Sequence, residues 1–128
     1  MPIIWDGQLE TIVNNESSEI IRMFNSAFNE FTPVKMDYYP ENLVEEINSI
    51  NSNIYQNLNN GVYLCGFATT QEVYQAAFTR LFDCLNELES RLTKQRYLLG
   101  ETITEADWRL FTTLVRFYAV YFSHFKTN

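Results

Sequence analysis

The chain has 128 residues, a formal net charge of -7 and 46% apolar residues. This length fits one domain of about 100–200 residues, and the apolar fraction excludes an intrinsically disordered chain. The acidic balance argues against nucleic acid and anionic membrane surfaces as partners. No apolar run approaches the roughly 18 residues needed to span a bilayer, so we expect no membrane partner.

Cysteine and histidine usage argues against a metal site. Cys65 and Cys84 lack the spacing of a zinc motif, and His124 is the sole histidine, so we expect no metal. The first residues also lack the basic and long apolar regions of a signal peptide. Few cysteines and no signal peptide together predict a cytoplasmic location.

Aromatic residues are abundant, at 16% of the chain. Such a proportion predicts either a core that is rich in rings or rings that face a ligand or a partner chain.

The N-terminal pattern predicts a β-hairpin followed by a helix. Residues 3–5 and 11–13 are β-branched or aromatic runs, and Asp6-Gly7 between them is a turn signal. Apolar residues at helical spacing then predict a helix over about 16–29. Residues 31–40 contain two prolines and are expected to form a linker to a larger C-terminal piece.

The C-terminal pattern predicts three long helices. An apolar stripe predicts a helix over about 41–59, with a stop near Gly61 and a loop over 61–69. A second helix is expected over about 70–93. The third, over about 105–123, is apolar almost all round, which predicts a central, buried helix.

The start of the last helix carries the sharpest local signal. Thr104 can cap the helix, and Asp107 can accept a hydrogen bond from the Thr104 backbone in a capping box. This arrangement serves folding and implies no chemistry by itself.

The stretch 98–107, which contains this box, resembles the segment that opens the core helix of glutathione transferases. Further stretches are similar to a narrower group, the glutathionyl-hydroquinone reductases, which are xi-class, omega-like glutathione transferases; they are residues 14–25, 60–63, 66–71, 95–100, 107–117 and 124–126. The resemblance covers essentially all 128 residues.

The resemblance implies a mainly α fold. Residues 1–30 would be the C-terminal part of a thioredoxin-like, glutathione-binding domain, namely a β-hairpin and helix remnant. Residues 31–40 would be a linker, and residues 41–128 would be a truncated glutathione-transferase C-terminal-like helical domain. Compared with the family, the chain is expected to be incomplete at both ends.

The resemblance also implies glutathione as co-substrate and four residues that bind it: Met1, Pro2, Glu16 and Ser17. Pro2 would follow a cis peptide bond, and the Met1 backbone would pair with the cysteinyl part of glutathione. At a helix N-terminus, Ser17 can hold a carboxylate and Glu16 can pair with an ammonium group. Helix capping is the simpler reading of Glu16 and Ser17, and both roles can apply together.

Two tyrosines are expected in the catalytic site. The resemblance implies that Tyr63 is the proton donor or acceptor toward the quinol and that Tyr121 lies close to the reactive sulfur. A phenol can act in this way when its site lowers its pKa. Packing with a satisfied hydroxyl is the alternative for both residues, and it is favoured for Tyr121 on an apolar helix.

The family nucleophile lies in a Cys-Pro-Trp-Ala motif, which these 128 residues do not contain. Cys84 is expected to be a buried apolar residue within a helix. Cys65 is expected in a loop without a nearby cation, so we do not assign it as the nucleophile. His124 is expected to be structural or at the surface.

The resulting hypothesis is a fragment of a glutathione-dependent oxidoreductase that acts on glutathionyl-hydroquinones and is inactive alone. Its expected partners are glutathione, quinol conjugates and a second copy in a homodimer. The alternative is a non-catalytic helical module for dimerisation or interaction.

Overall fold

The computed structural model describes residues 2–128. The chain divides into two units, residues 1–41 and residues 42–128. The first unit holds a two-stranded sheet and one helix, and the second is helical. The predicted mainly α fold with a β-hairpin is therefore confirmed.

The hairpin consists of β1 (Ile4–Asp6) and β2 (Thr11–Asn14), which pair antiparallel with an irregularity between Ile4 and Trp5. Its turn is held by Asp6, whose Oδ1 accepts hydrogen bonds from the backbone N–H groups of Gln8 and Leu9, at 2.8 and 3.0 Å. These two bonds favour the carboxylate and hold the pKa of Asp6 below its ordinary value. The predicted hairpin and its turn are confirmed.

Helix α1 spans Ser17–Ser26, slightly shorter than predicted. Its last turn fixes part of the predicted linker within the first unit, because Asn25 Nδ2 donates to Asp37 Oδ1 and Asn25 Oδ1 accepts from the Tyr38 N–H, both at 2.8 Å. The Arg22 guanidinium lies 4.0 Å from the centre of the Tyr39 ring, a favourable cation–π contact.

A 3₁₀ turn (Glu41–Leu43) spans the boundary between the units, and the second unit continues with α2 (Val44–Ile54) and a π-helical turn (Tyr55–Asn59). Helices α3 (Gly61–Gly66) and α4 (Gln71–Leu92) follow. Apolar side chains from these helices and from the last part of the chain form the core; its members below 2% exposure include Ile47, Ile54, Leu58, Val62, Leu81 and Leu98.

The predicted loop over 61–69 is wrong, because most of it is helix α3. Asn59-Asn60-Gly61 resembles a helix stop, but Asn60 keeps helical backbone angles between the π-helical turn and α3. Gly61 is buried against Leu81, at a contact of 3.4 Å for an added Cβ. Gly61 is therefore the first residue of a helix that packs on α4 and does not mark a helix end.

The last predicted helix is divided into α5 (Glu105–Arg116), a π-helical turn (Phe117–Tyr121) and a short α6 (Phe122–His124). Within the described residues it is not buried all round, so that expectation is wrong. Leu110 is 4% exposed on the core side, whereas Phe111, Val115 and Tyr118 are 54%, 58% and 81% exposed. Its apolar character extends well beyond the face that packs on the core.

Asp107 joins the start of α5 to the preceding turn. Its Oδ2 accepts from the Thr104 backbone N–H at 2.8 Å and from Thr104 Oγ1 at 3.0 Å. Its Oδ1 accepts from the Leu98 N–H at 2.8 Å. The predicted bond from the Thr104 backbone to Asp107 is confirmed, and the same carboxylate also fixes the loop that leads into the helix.

A buried polar contact links α2 to α5. Glu105 is 1% exposed, and its Oε1 accepts from Asn51 Nδ2 at 2.9 Å and from an Arg109 guanidinium nitrogen at 3.3 Å. Buried carboxylates are costly unless paired in this way. About two turns further along, Asn59 Nδ2 donates to Thr113 Oγ1 at 2.6 Å. These contacts join α5 to α2 and to the π-helical turn that follows α2.

No helix among residues 2–128 is both long and apolar enough to cross a membrane.

Candidate active site

The structure brings the two predicted tyrosines together. Tyr63 lies on α3 and Tyr121 at the end of the π-helical turn, and their Oη atoms are 3.4 Å apart, a long hydrogen bond in which either hydroxyl can donate. Their rings meet edge to face, with centroids 5.8 Å apart and an angle of 66°, a favoured aromatic geometry. The two residues form one hydroxyl pair.

The two members of the pair differ in burial. Tyr121 is 6% exposed and belongs to the core, whereas Tyr63 is 44% exposed. Burial of the Tyr121 phenol raises its pKa, as do the hydrogen bond and the charge interaction with Tyr63, while the positive charge of Arg116 acts in the opposite direction. Tyr121 therefore holds its proton firmly, and Tyr63 is the member open to a molecule from solution.

Each tyrosine depends on local backbone geometry. Tyr63 lies two residues after Gly61, where α3 packs against Leu81. Tyr121 closes the π-helical turn, in which the N–H of Phe122 bonds to the carbonyl of Phe117. A π turn adds one residue to a helical turn and is common at functional sites.

Two further rings complete the cluster, and sequence reasoning assigned no role to either. Phe125 lies 5.2 Å from the Tyr63 ring and 5.6 Å from the Tyr121 ring, and Phe67 lies 5.4 Å from Phe125. The high aromatic content was the signal that could have indicated them, since such rings surround a flat apolar ligand well.

The first unit places Glu16 and Ser17 at the N-terminus of α1. Glu16 is the N-cap, and its Oε1 accepts from the N–H and Oγ of Ser18, at 3.3 and 3.2 Å. Asn14 supports this end, because its Oδ1 accepts from the Glu16 N–H at 2.6 Å. Both Glu16 and Ser17 are exposed. Helix capping by Glu16 is thus observed, and both bonds from Ser18 use the same carboxylate oxygen, Oε1.

Pro2 is exposed in the first unit. Met1, and with it the Met1–Pro2 peptide bond at which a cis geometry is expected, lies outside the described residues.

Neither cysteine has the properties of a nucleophile. Cys65 lies in α3, not in a loop as predicted, and both Cys65 and Cys84 are buried free thiols. Burial raises the pKa of each thiol, and for Cys65 the charge of Arg80 lowers it to a smaller extent. A raised pKa leaves little thiolate at neutral pH. His124 is exposed.

Among residues 2–128, no group of three or more His, Cys, Asp or Glu side chains is arranged to hold a metal ion.

The helical unit has the fold of a glutathione transferase C-terminal domain. Residues 71–127 match the protein family described as glutathione S-transferase, C-terminal domain. The glutathione-bound structure of the Escherichia coli glutathione transferase homologue YqjG superposes with a TM-score of 0.97 and 52% identity, covering 100% of this chain and 42% of that one.

The chain is also similar to proteins named glutathionyl-hydroquinone reductases. The glutathionyl-hydroquinone reductase PcpF of Sphingobium chlorophenolicum is 56% identical to this chain over 128 residues, which are 100% of this chain and 41% of PcpF. The crystal structure of glutathione transferase Xi 1 from Trametes versicolor matches with a TM-score of 0.95 and 55% identity, covering 100% of this chain and 45% of that one. The resemblance predicted from the sequence is confirmed.

The chain spans about two fifths of the length of the curated relatives it matches, 41% for PcpF and 39% for YqjG.

Proposed function

We propose that the chain forms part of a glutathione-dependent reductase of glutathionyl-hydroquinones, in which Tyr63 transfers the proton. The observation that carries the proposal is the Tyr63–Tyr121 pair, with its 3.4 Å separation of Oη atoms and one exposed member. The names of the similar proteins supply the reaction class.

The proposed chemistry balances with two thiols. A cysteine thiolate attacks the sulfur of the conjugate, an S–S bond forms, and the bond from that sulfur to the ring carbon breaks. The electron pair of the broken bond stays on the carbon, which takes a proton, and the hydroquinone is released. A second glutathione thiolate then attacks the mixed disulfide and restores the cysteine, so that glutathione disulfide leaves.

Tyr63 is the proton donor in this scheme because it is exposed and lies beside a second phenol. Tyr121, buried and protonated, can donate a hydrogen bond to the Tyr63 oxygen when Tyr63 has lost its proton. Such a bond stabilises the phenolate form and assists transfer.

The same proposal assigns glutathione binding to Met1, Pro2, Glu16 and Ser17. The N-terminus of α1 supports this role for Glu16 and Ser17, because free N–H groups and the helix dipole favour a carboxylate there. Glu16 keeps one carboxylate oxygen that its capping bonds do not use, and this oxygen can pair with an ammonium group.

The nucleophile is proposed to come from a Cys-Pro-Trp-Ala motif, so the 128 residues alone should not turn over the conjugate. Burial of both Cys65 and Cys84 supports this view. The unpaired state of these thiols is also compatible with the proposed cytoplasmic setting.

The test uses a chimera in which residues 1–128 replace the matching segment of Escherichia coli YqjG, to which they are 52% identical. The chimera should release hydroquinone from a glutathionyl-hydroquinone in the presence of glutathione, and the isolated chain should not. Turnover by the isolated chain that disappears in Cys65→Ala would overturn the assignment of the nucleophile.

A non-catalytic dimerisation module is the second candidate. The exposed apolar side chains of α5 and the π-helical turn, Phe111, Val115 and Tyr118, favour it, since large apolar patches often mark interfaces. Mass measurement in solution with glutathione titration separates the candidates, because a homodimer without glutathione affinity supports the module and binding by the chain supports the reductase.

A further inference from the structure

Residues 125–127 follow α6 and form a short segment, called the strap below, that packs beside the tyrosine pair. The Phe125 N–H donates to the Tyr121 carbonyl at 3.0 Å, and the Thr127 N–H donates to the same carbonyl at 3.4 Å. The Tyr74 hydroxyl of α4 donates to the Lys126 carbonyl. Thr127 is 0% exposed. Several bonds and complete burial of one residue fix the strap to the helical unit.

The Phe125 side chain of this strap packs directly against Gly66. A Cβ added to Gly66 would lie 2.5 Å from Cδ1 and Cγ and 2.9 Å from Cβ of Phe125. Heavy atoms this close overlap. Rotation of the Phe125 side chain can move Cγ and Cδ1, but Cβ moves only with the backbone, so the Cβ clash persists. Only glycine therefore allows the Phe125 ring to lie on the end of α3.

The seated ring contacts both members of the pair. Its centroid lies 5.2 Å from Tyr63 and 5.6 Å from Tyr121, with angles between the planes of 60° and 29°. Tyr63 stands on α3 and Tyr121 on the π-helical turn, so one ring contacts side chains that are distant in the chain. A displacement of Phe125 would remove packing from both.

We propose that Phe125, seated on Gly66, is a positioning residue that holds the Tyr63 and Tyr121 hydroxyls in contact. An effect of Phe125 on catalysis rests on the proposed function of the tyrosines. The effect of Phe125 on the contact between the two tyrosines does not depend on that function. Phe125 carries no group that exchanges protons, so it acts only through the two tyrosines.

The geometric test is NMR of the 128-residue chain with labelled tyrosine, assigned with Tyr63→Phe and Tyr121→Phe. Gly66→Ala should remove the nuclear Overhauser contacts between the Tyr63 and Tyr121 rings, and Phe125→Leu should do the same without adding an atom to α3. Gly61→Ala is the matched control, because its added Cβ meets Leu81 at an ordinary 3.4 Å, and it should preserve the contacts.

A double substitution distinguishes loss of the Phe125 contact from a general disruption of the fold. If the clash is with Phe125, Gly66→Ala should have little further effect on the spectrum in a Phe125→Ala background, because interacting sites are not additive. Phe125→Tyr, which keeps the ring, should retain the ring contacts. Intact contacts in both Gly66→Ala and Phe125→Leu would overturn the proposal, as would an additive double variant.

The catalytic part is measured in the YqjG chimera. Phe125→Leu should lower kcat about tenfold or more with little change in KM, as expected for the loss of an aligned proton donor. If the ring contacts disappear and kcat is unchanged, the proposed function of the tyrosines fails while the positioning by Phe125 stands. If Tyr63→Phe lowers kcat and Phe125→Leu changes neither contacts nor kcat, the positioning fails and the function stands.

Discussion

Tyr63 and Tyr121 are separated by 58 positions in the chain, and their hydroxyl oxygens lie 3.4 Å apart. One phenol is buried and the other is open to solvent. The exposed phenol of Tyr63 can contact a molecule from solution, whereas the buried hydroxyl of Tyr121 is its hydrogen-bond partner in the core.

The first prediction concerns the ionisation of Tyr121. Tyr63→Phe removes a hydrogen bond and a charge interaction that both raise the pKa of Tyr121. The pKa of Tyr121 should therefore fall, while remaining above its ordinary value because burial persists. A pH titration of phenolate absorbance measures it, with Tyr121→Phe identifying the signal. An unchanged pKa would show that the hydroxyls do not interact in solution.

The second prediction concerns alkaline stability. Burial raises the pKa of Cys65, Cys84, Tyr74 and Tyr121, so the folded chain binds these protons more tightly than the unfolded chain. Their contribution is complete below about pH 8.5, the ordinary pKa of a thiol, and is lost as pH rises through the folded values. The free energy of unfolding should fall above that pH.

Chemical denaturation at several pH values checks this slope. Cys65→Ala should make the alkaline fall shallower by removing one such group. A free energy of unfolding that is flat up to pH 11 would contradict the assigned burial.

The third prediction concerns the buried carboxylate of Glu105. Glu105→Ala leaves Arg109 and Asn51 without the partner to which they donate, and breaking a buried pair in this way costs about 3–5 kcal/mol. Glu89→Ala, on the exposed side of α4, should change stability by no more than about 0.5 kcal/mol. Urea denaturation measures both, and equal effects would show that the α2–α5 contact contributes little.

The fourth prediction uses two glycines to isolate backbone strain. Gly100 has a φ of +114°, and neither Gly100 nor Gly7 has an atom within 4 Å of an added Cβ. Gly100→Ala should destabilise the chain by about 1–3 kcal/mol because an L side chain is strained there. Gly7→Ala has no such φ and should be nearly neutral. Equal thermal midpoints for the two variants would contradict the turn geometry at Tyr97–Gly100.

The fifth prediction separates the two roles of Glu16. Glu16→Gln keeps an oxygen that can cap α1 but removes the negative charge. In the YqjG chimera, glutathione affinity should fall about tenfold, the effect of losing roughly 1.4 kcal/mol of charge-assisted bonding. Circular dichroism should show unchanged helix content. Undiminished affinity in calorimetry would leave capping as the sole role of Glu16.

Most elements could be predicted from local patterns. The hairpin, α1, α4 and the start of α5 carry strong signals: β-branched runs, helical periodicity and capping residues such as Thr70, which accepts from the Val73 N–H at 3.3 Å. These signals depend on neighbours in the chain. They were therefore available without any knowledge of tertiary contacts.

Helix α3 could not be predicted because its glycines have tertiary causes. Gly61 packs against Leu81 and Gly66 against the Phe125 ring, and both resemble loop residues in sequence. The π-helical turns carry no local signature either. Phe111 and Val115 on α5 are apolar and exposed. The distribution of apolar residues along a helix therefore does not show which of its faces are buried within residues 2–128.

The candidate site was predicted only in part. Tyr63 and Tyr121 entered through the family resemblance, and nothing in their local sequence indicates that they meet. Gly66 and Phe125 lie in two of the stretches that carry the resemblance, residues 66–71 and 124–126, but the sequence assigned neither residue a role. The contact between Gly66 and Phe125 forms only because the strap packs against the end of α3.

The most direct test of the central claim is the kcat of the YqjG chimera with Tyr63→Phe, compared with Tyr118→Phe. Both changes remove one phenolic oxygen, but only Tyr63 Oη contacts Tyr121 Oη, and Tyr118 is exposed. We expect kcat for the glutathionyl-hydroquinone to fall about 100-fold with Tyr63→Phe, in the range for loss of a general acid, and to stay unchanged with Tyr118→Phe. An unchanged kcat with Tyr63→Phe would contradict the role of the tyrosine pair in proton transfer.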